Sequence, residues 1–265
     1  MPLKAAALNS GSNGNCYWFS DGTDAVLIDA GLSCKETEKR MDRLGLSMEQ
    51  IRAILITHEH SDHIFGLKGL QKKYGWTVYV SGPTANAIGE MNSESKLFSA
   101  GEALEFGRLK VCAFPTRHDA ADSHGFTISL GNTTAGIFTD LGKASREVRL
   151  NFAECRLVFL ECNYEEVLLE NGPYPKMLKD RIRGGYGHLS NRQAMELLRD
   201  YAHPDLSHVF LSHLSERNNT PEHALEWFRP WLNSISIEVA SRVRESAIVE
   251  LDEKPLREGI QLQLF

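Results

Sequence analysis

An α/β fold, with helices covering a sheet, is predicted for this chain from three observations. Residues 51–56 form a short apolar run rich in β-branched side chains, residues 64–74 carry apolar side chains at helical spacing, and residues 77–80 again read as a strand. Strand, helix and strand thus alternate as they do in a sheet covered by helices. The strand at 51–56 runs straight into Thr57-His58-Glu59-His60-Ser61-Asp62-His63, three imidazoles and two carboxylates in seven residues. In open α/β sheets ligands bind at that end of the strands. Finally, 265 residues with 42% hydrophobic and 24% charged side chains can bury a sizeable core, in the range of one large α/β domain.

The elements follow in order. Residues 3–20 and 25–29 read as strands around a turn at Asp21-Gly22, with Ser10-Gly11-Ser12-Asn13-Gly14-Asn15 as a flexible loop between Leu8 and Cys16. A phosphate could sit against the backbone N–H groups of this loop, with Ser12 and Asn13 as candidate contacts, although the Gly-Lys-Ser/Thr ending of a P-loop is missing. The loop reads equally well as a plain turn. Asp29-Ala30-Gly31 end a strand, and Ser33 can cap a helix over 35–44. Asp29 is placed to support a ligating histidine from behind.

A helix is expected over 83–91, and a hairpin of 104–106 and 109–114 around Gly107, leading to Pro115-Thr116-Arg117-His118-Asp119. Residues 125–130 and 134–139 pair around Gly131-Asn132, a favoured hairpin turn, and the second strand ends in Asp140-Leu141-Gly142. An apolar run at 157–160 precedes Glu161-Cys162-Asn163-Tyr164. Residues 170–187 are the least regular, interrupted by Pro173, Pro175, Gly184, Gly185 and Gly187, and they gather Lys176, Lys179, Arg181 and Arg183 before running into Gly187-His188-Leu189-Ser190-Asn191. Residues 191–201 are helical, 208–211 form a strand ending at Ser212-His213-Leu214-Ser215, 221–228 form a helix, and 235–240 and 247–251 are late strands. One domain over 1–251 and a tail over 252–265 are expected.

Five cysteines, Cys16, Cys34, Cys112, Cys155 and Cys162, are scattered without C-x-x-C spacing. That argues against a disulfide framework or a cysteine-ligated zinc and fits a reducing cytoplasm. No signal-peptide core or bilayer-spanning apolar run is present in the sequence, so a soluble cytoplasmic protein without membrane partners is expected. A net charge of −6 and a pI near 5.9 give no bulk pull toward nucleic acid. A small basic rim and bound metal ions can still attract phosphate at short range.

If the chain stays extended through His58 and His60, the period of two puts both rings on one face, where they can converge on one ion. A turn after His60 is then needed to aim Asp62 and His63 at a second position beside the first. This is not the His-Glu-x-x-His pattern, because the spacing is two and a strand precedes it. His118, Asp140 and His213 each lie just past an expected strand and complete the candidate ligand set. His124 competes with His118, which is nearer its preceding strand; His203, His208 and His223 read as surface or packing residues. Two divalent ions roughly 4 Å apart suit hydrolysis at phosphorus or an acyl carbon, because they lower the pKa of a shared water from about 16 to about 7. The ligand types suit Zn²⁺, Mn²⁺ or Fe²⁺.

The His-x-His-x-Asp-His string resembles the signature of the metallo-β-lactamase superfamily. That resemblance implies a four-layer αββα fold, a first ion on His58, His60 and His118, a second on Asp62, His63 and His213, and Asp140 bridging them. Gly187-His188-Leu189-Ser190 resembles the extra-histidine motif of tRNase Z-like phosphodiesterases, although their Arg-Tyr is absent after His213. No insertion long enough for a β-CASP clamp domain interrupts the chain. With Ser-Gly-Ser-Asn-Gly-Asn-Cys, Leu160-Glu161-Cys162-Asn163-Tyr164 and His213-Leu214-Ser215-Glu216-Arg217-Asn218-Asn219, residues 8–224 resemble the YycJ/WalJ family. This implies an exonuclease acting from DNA 5′ ends. Asp62 and His188 are then the catalytic candidates, with His188 holding the phosphate or protonating the leaving oxygen and Lys179, Arg181 and Arg183 holding the backbone.

Spacing alone supports only a two-metal hydrolase, so a thioester or lactone hydrolase is a second reading. A metal-stabilised scaffold that works by protein contact is a third, and it predicts full function after Asp62→Asn and His188→Ala. Finally, Gln261, Leu262, Leu264 and Phe265 resemble the Gln-Leu-x-Leu-Phe peptide that docks bacterial DNA-processing proteins on the replicative sliding clamp. Because Ile260, Leu262 and Leu264 alternate, the same segment could instead form an edge strand on the protein's own sheet.

Overall fold

The structure, a computed structural model, describes residues 1–89 and 95–253. Its first half runs β1 (Leu3–Asn9), β2 (Cys16–Ser20), β3 (Ala25–Ile28), α1 (Cys34–Arg43), β4 (Ile51–Leu55), α2 (Ser61–Ile64), α3 (Leu67–Tyr74), β5 (Thr77–Val80), α4 (Gly82–Ile88) and β6 (Ser95–Leu97). The second half runs β7 (Ala103–Phe106), β8 (Leu109–Pro115), β9 (His124–Leu130), β10 (Thr133–Phe138), α5 (Arg146–Phe152), β11 (Leu157–Glu161), α6 (Glu166–Asn171), α7 (Lys176–Ile182), α8 (Asn191–Tyr201), β12 (His208–Ser212), α9 (Pro221–Phe228) and β13 (Ser236–Val239). β14 (Val249–Leu251) then returns to the first half.

Among the described residues the strands form two seven-stranded sheets, ordered β14-β1-β2-β3-β4-β5-β6 and β13-β12-β11-β10-β9-β8-β7. Each is mixed. Pairing is antiparallel from β14 to β3 and parallel from β3 to β6; in the second sheet it is antiparallel from β7 to β10 and parallel from β10 to β13.

The strand period of two assigns side chains to layers. Val26 and Ile28 of β3 join Leu157 and Phe159 of β11 in a core between the sheets, where the Phe159 and Phe210 rings stack 4.9 Å apart. The alternate residues Ala25 and Leu27 face Met41, Leu67 and Leu70 of α1 and α3, while Val158 and Leu160 face Phe152, Ala194, Leu198 and Phe228 of α5, α8 and α9. Three apolar interfaces therefore separate four layers, helix, sheet, sheet and helix, which is the α/β sandwich the sequence resemblance implied.

Helix starts follow the capping rules. Ser33 accepts the N–H of Glu36 at 3.2 Å, and Ser190 and Gln193 form a reciprocal capping box at α8. The helix expected over 64–74 is interrupted instead, with α2 and α3 separated at Phe65 and Gly66. A side chain on Gly66 would meet the Leu32 carbonyl oxygen at 1.8 Å, so the break lets this backbone pack against the loop after β3. The stretch 170–187, expected to be irregular, contains α7 and the end of α6. Its prolines and glycines flank the helices rather than interrupt them, with Pro175 as the N-cap of α7. Helix α5 was not anticipated because it buries only Val148 and Phe152, too short a stripe to show periodicity.

The five cysteines are free thiols, and among the described residues no helix is long and apolar enough to cross a membrane. The end of the helix expected over 83–91 and the clamp-like segment 261–265 lie outside the described residues.

Candidate metal centre

Both sheets aim their parallel strands at one place. Asp29 follows β3, Thr57 and His58 follow β4, Asp140 follows β10, Glu161 ends β11, and His213 follows β12. Of these, Asp29, Asp140 and His213 have φ of 63°, 56° and 57°. They are the non-glycine residues with positive φ among those described, and such conformations cost of order 1–3 kcal/mol each and gather at functional sites. In each, the chain leaves the strand through a left-handed residue whose own side chain belongs to the polar cluster.

Within that cluster, the ligand atoms of His58, His60 and His118 all lie within 4.8 Å of one another, and so do those of Asp62, His63 and His213. His60 takes the N-cap position of α2 with extended backbone (φ −62°, ψ 147°), and that short helix supplies the turn which carries Asp62 and His63 to the second group. Asp140 stands between the groups, with Oδ1 3.7 Å from His118 Nε2 and Oδ2 3.3 Å from His63 Nε2. His58 Nε2 and Asp140 Oδ2 are buried and make no hydrogen bond. Burying such atoms unpaired is costly, so lone pairs left without a partner among converging imidazoles and carboxylates fit divalent cations. The residues present therefore suit two ions, one per group.

Supporting contacts fix the rings. Asp29 Oδ2 lies 2.7 Å from His63 Nδ1, as expected for a carboxylate behind a ligating histidine, and its Oδ1 accepts the N–H of Thr57 at 2.9 Å. The Gly187 carbonyl lies 3.0 Å from His118 Nδ1, leaving Nε2 for the cluster. Asn15 donates its amide to Asp62 Oδ2 at 3.2 Å and its backbone N–H to the Asp62 carbonyl at 2.7 Å. This closeness requires Gly31, where a Cβ would meet the Asp62 carbonyl oxygen at 1.8 Å.

Electrostatics follow from burial and crowding. Burial, with help from neighbouring His63, pushes the His58 pKa well below the imidazole range, so its ring is neutral. Burial opposes charge on His213, but Asp140, Asp62 and Glu161 outweigh it and lift its pKa to about 10. Burial likewise opposes ionisation of Asp62, yet His63 and His213 hold its pKa at about 2. Asp140 is held well below the carboxylate range in the same way, by His213 and His63 against burial. Against burial, Asp29, Asp140 and Asp62 likewise raise His63 well above the imidazole range, so the carboxylates hold protons on His213 and His63, in the positions where cations would be stabilised.

His188 sits on the wall of the cavity, which has a volume of about 170 Å³ and is also lined by Ser12, Asp62, His118, Asp140, Arg181 and His213. Sequence reading missed the role of Glu161. This fully buried carboxylate holds His188 Nδ1 at 2.7 Å and His213 Nδ1 at 3.2 Å, and accepts the N–H groups of Leu141 at 2.8 Å and Leu189 at 3.1 Å. Its place at the end of an apolar strand, like that of Asp29, was the available signal.

Other expected residues fall elsewhere. His124 points away, its Nδ1 3.0 Å from the Asp122 carbonyl and its ring edge-on to Phe98. Ser12 and Arg181 line the cavity, and Arg181 also pairs with Asp119. Asn13, Lys179 and Arg183 do not line it. Asn13 donates to the Arg242 carbonyl at 2.8 Å, Lys179 to the Glu170 carbonyl, and Arg183 to the Glu170 carboxylate at 2.8 Å. The loop 10–15 uses its Gly11 and Gly14 N–H groups internally and gives that of Asn15 to the Asp62 carbonyl, so at those positions it is a wound turn rather than an open phosphate cradle.

A sandwich of two mixed sheets with this cluster at the strand ends defines a metal-dependent hydrolase. The chain belongs to the metallo-β-lactamase superfamily, whose family model matches residues 10–152. Over 227 residues it is 35% identical to "Exodeoxyribonuclease YycJ" of Bacillus anthracis, covering 84% of this chain and 86% of that protein. It is 32% identical over 227 residues to "Exodeoxyribonuclease WalJ" of Streptococcus pneumoniae, covering 83% and 84%. Among solved structures, the metallo-β-lactamase fold protein YhfI from Bacillus subtilis superposes with a TM-score of 0.71 at 17% identity, over 94% of this chain and 99% of that one. That likeness shows the fold.

Proposed function

We propose that this protein is a metal-dependent phosphodiesterase that removes nucleotides from DNA 5′ ends in the cytoplasm. The relatives named exodeoxyribonucleases support the substrate class. The observation that carries the reading is His188, an imidazole on the cavity wall whose Nδ1 is pinned by buried Glu161, leaving Nε2 for a phosphate oxygen or a leaving oxygen.

His58, His60 and His118 would hold one divalent ion, Asp62, His63 and His213 the other, with Asp140 between them. Such ions supply Lewis acidity and a water ionised near neutral pH. The chain's own groups do the rest. Arg181, steadied by Asp119, and Ser12 hold the phosphodiester against the cavity. Asp62, held by its contacts with His213 and Asn15, would be one of the groups that hold the second ion. His188 binds the phosphate or gives a proton from Nε2 to the departing oxygen, and Glu161 stabilises the imidazolium before transfer. We further propose that segment 261–265 docks the enzyme on a sliding clamp, which would hold an acidic protein near DNA by raising its effective concentration.

The test is incubation with end-labelled, 5′-phosphorylated single-stranded and duplex DNA and RNA in Mn²⁺ or Zn²⁺. The expected result is stepwise release of 5′ nucleotides from DNA, abolished by chelator. Cleavage of thioesters or lactones with DNA left intact would overturn the reading.

A further inference from the structure

The His213 segment has cavities on both of its sides. His213 and Ser12 line the metal cavity, while Ser10, Leu214 and Ser215 line a second one of about 500 Å³, within the size range of small-molecule sites. Consecutive residues are only about 3.8 Å apart at Cα, so one stretch of backbone serves as a shared wall. The wall is well tied: Ser10 Oγ accepts the His213 N–H at 2.8 Å, the Ser10 N–H donates to the Ser241 carbonyl at 3.1 Å, and Asn13 donates to the Arg242 carbonyl at 2.8 Å.

Leu214, Pro221, Leu225 and Val239 give the second cavity its apolar lining, and Glu216, Arg242 and Arg244 give it its charged groups. Arg242 is occupied by Glu216 at 3.2 Å. Arg244 is exposed and, among the described residues, makes no ion pair or hydrogen bond. An apolar surface beside an unpaired guanidinium matches a ligand with a flat apolar body and an anionic group.

We propose that this cavity is a nucleotide subsite. It holds a base of the substrate strand against Leu214, Leu225 and Val239 and an adjacent phosphate at Arg244, while a neighbouring phosphodiester lies in the metal cavity. The proposal rests on the phosphodiesterase reading for its strand, and on the shared wall and the unpaired Arg244 for its location. Asn13, expected to contact substrate directly, instead shapes this subsite through the Arg242 backbone.

The experiment compares wild type, Arg244→Glu, Arg244→Lys and Val243→Glu, all at exposed positions, on 5′-phosphorylated single-stranded DNA and on bis(p-nitrophenyl) phosphate, which carries no nucleotide. Inhibition by deoxyadenosine 5′-monophosphate is measured alongside. Arg244→Glu is expected to raise the KM for DNA about fivefold and to weaken nucleotide inhibition similarly, as loss of one exposed charge contact does. Arg244→Lys should retain most of both, and hydrolysis of the small ester should not change. Unchanged DNA KM and inhibition in Arg244→Glu and Val243→Glu would overturn the subsite. So would a dimer in sedimentation that Val243→Glu dissociates, because a second copy would then cover the cavity. If wild type cleaves the small ester but not DNA, the nuclease reading fails instead, and calorimetric binding of the nucleotide to wild type and Arg244→Glu still decides the subsite.

Discussion

Glu161 Oε1 lies 2.7 Å from His188 Nδ1, while the other oxygen of the same carboxylate accepts the N–H of Leu189, the next residue. The ring and its backbone are held by one buried group. His188→Ala is therefore expected to slow DNA cleavage by about 10²–10⁴-fold, the usual contribution of a general acid, with two ions still bound. Glu161→Gln should lower kcat less, because an amide can still hold the ring through Nδ1. Loss of an ion from His188→Ala, measured by elemental analysis, would show that His188 is a ligand.

The donor groups His58, His60 and His118 and Asp62, His63 and His213, which meet at His58, His63 and Asp140, predict about two divalent ions per chain. Asp140 stands between them, so Asp140→Ala should weaken both, whereas His60→Ala should release the ion of its own group first. Metal analysis of anaerobically purified protein checks this. A single ion with full activity would reject the assignment.

How far the sequence carried depends on the range of each signal. The strand ending at Leu55 with His58 and His60 beyond it was legible, because spacing two and a β-branched run are local patterns. The convergence of Asp140 and His213 on that cluster was suggested by their positions after strands and by family resemblance, not by periodicity. Glu161 ends an apolar strand as Asp29 follows one, a local signal that marks a buried carboxylate but does not tell which histidine it faces. Lys179 and Arg183 looked like a substrate rim because charge clustering in sequence does not reveal the partners, Glu170 and Asp180, that occupy these side chains.

The protonated imidazoles of the metal-free site give a pH dependence with a definite sign. The His213 pKa is raised from 6.5 to about 10, so its contribution to stability is complete below pH 6.5 and is lost as pH rises through 10. Metal must displace that proton, so apparent metal affinity should rise with pH, by up to about tenfold per unit for each proton released. Thermal melts of chelated protein should fall in Tm between these limits, while those of metal-loaded protein fall less. Equal slopes for the two forms would show that the proton and the ion do not compete for His213.

The clamp proposal is tested by deleting residues 261–265. Before that segment, the Asp252 carbonyl accepts from Thr133 Oγ1 at 3.0 Å and Arg156 Nη1 at 2.7 Å, and Glu253 pairs with Arg108, so the chain is anchored to the fold as far as residue 253. Beyond it, Leu262, Leu264 and Phe265 offer a partner three apolar side chains and Gln261 a directional hydrogen bond, a pattern suited to a shallow hydrophobic groove. The competing use of the same residues is also concrete. β14 is the outer strand of its sheet among the described residues, and an alternating segment could pair with that edge. The two uses differ in energy. A docking peptide outside the core leaves Tm within about 2 °C when removed, as surface changes of under ~0.5 kcal/mol do in a domain of this size. A paired edge strand lowers it well beyond that. The deletion is expected to abolish binding to purified clamp, leave Tm in the narrow range and leave hydrolysis of a small phosphodiester intact. Retained clamp binding would overturn the docking proposal, and so would a large fall in Tm, which would assign Leu262 and Leu264 to the protein's own sheet.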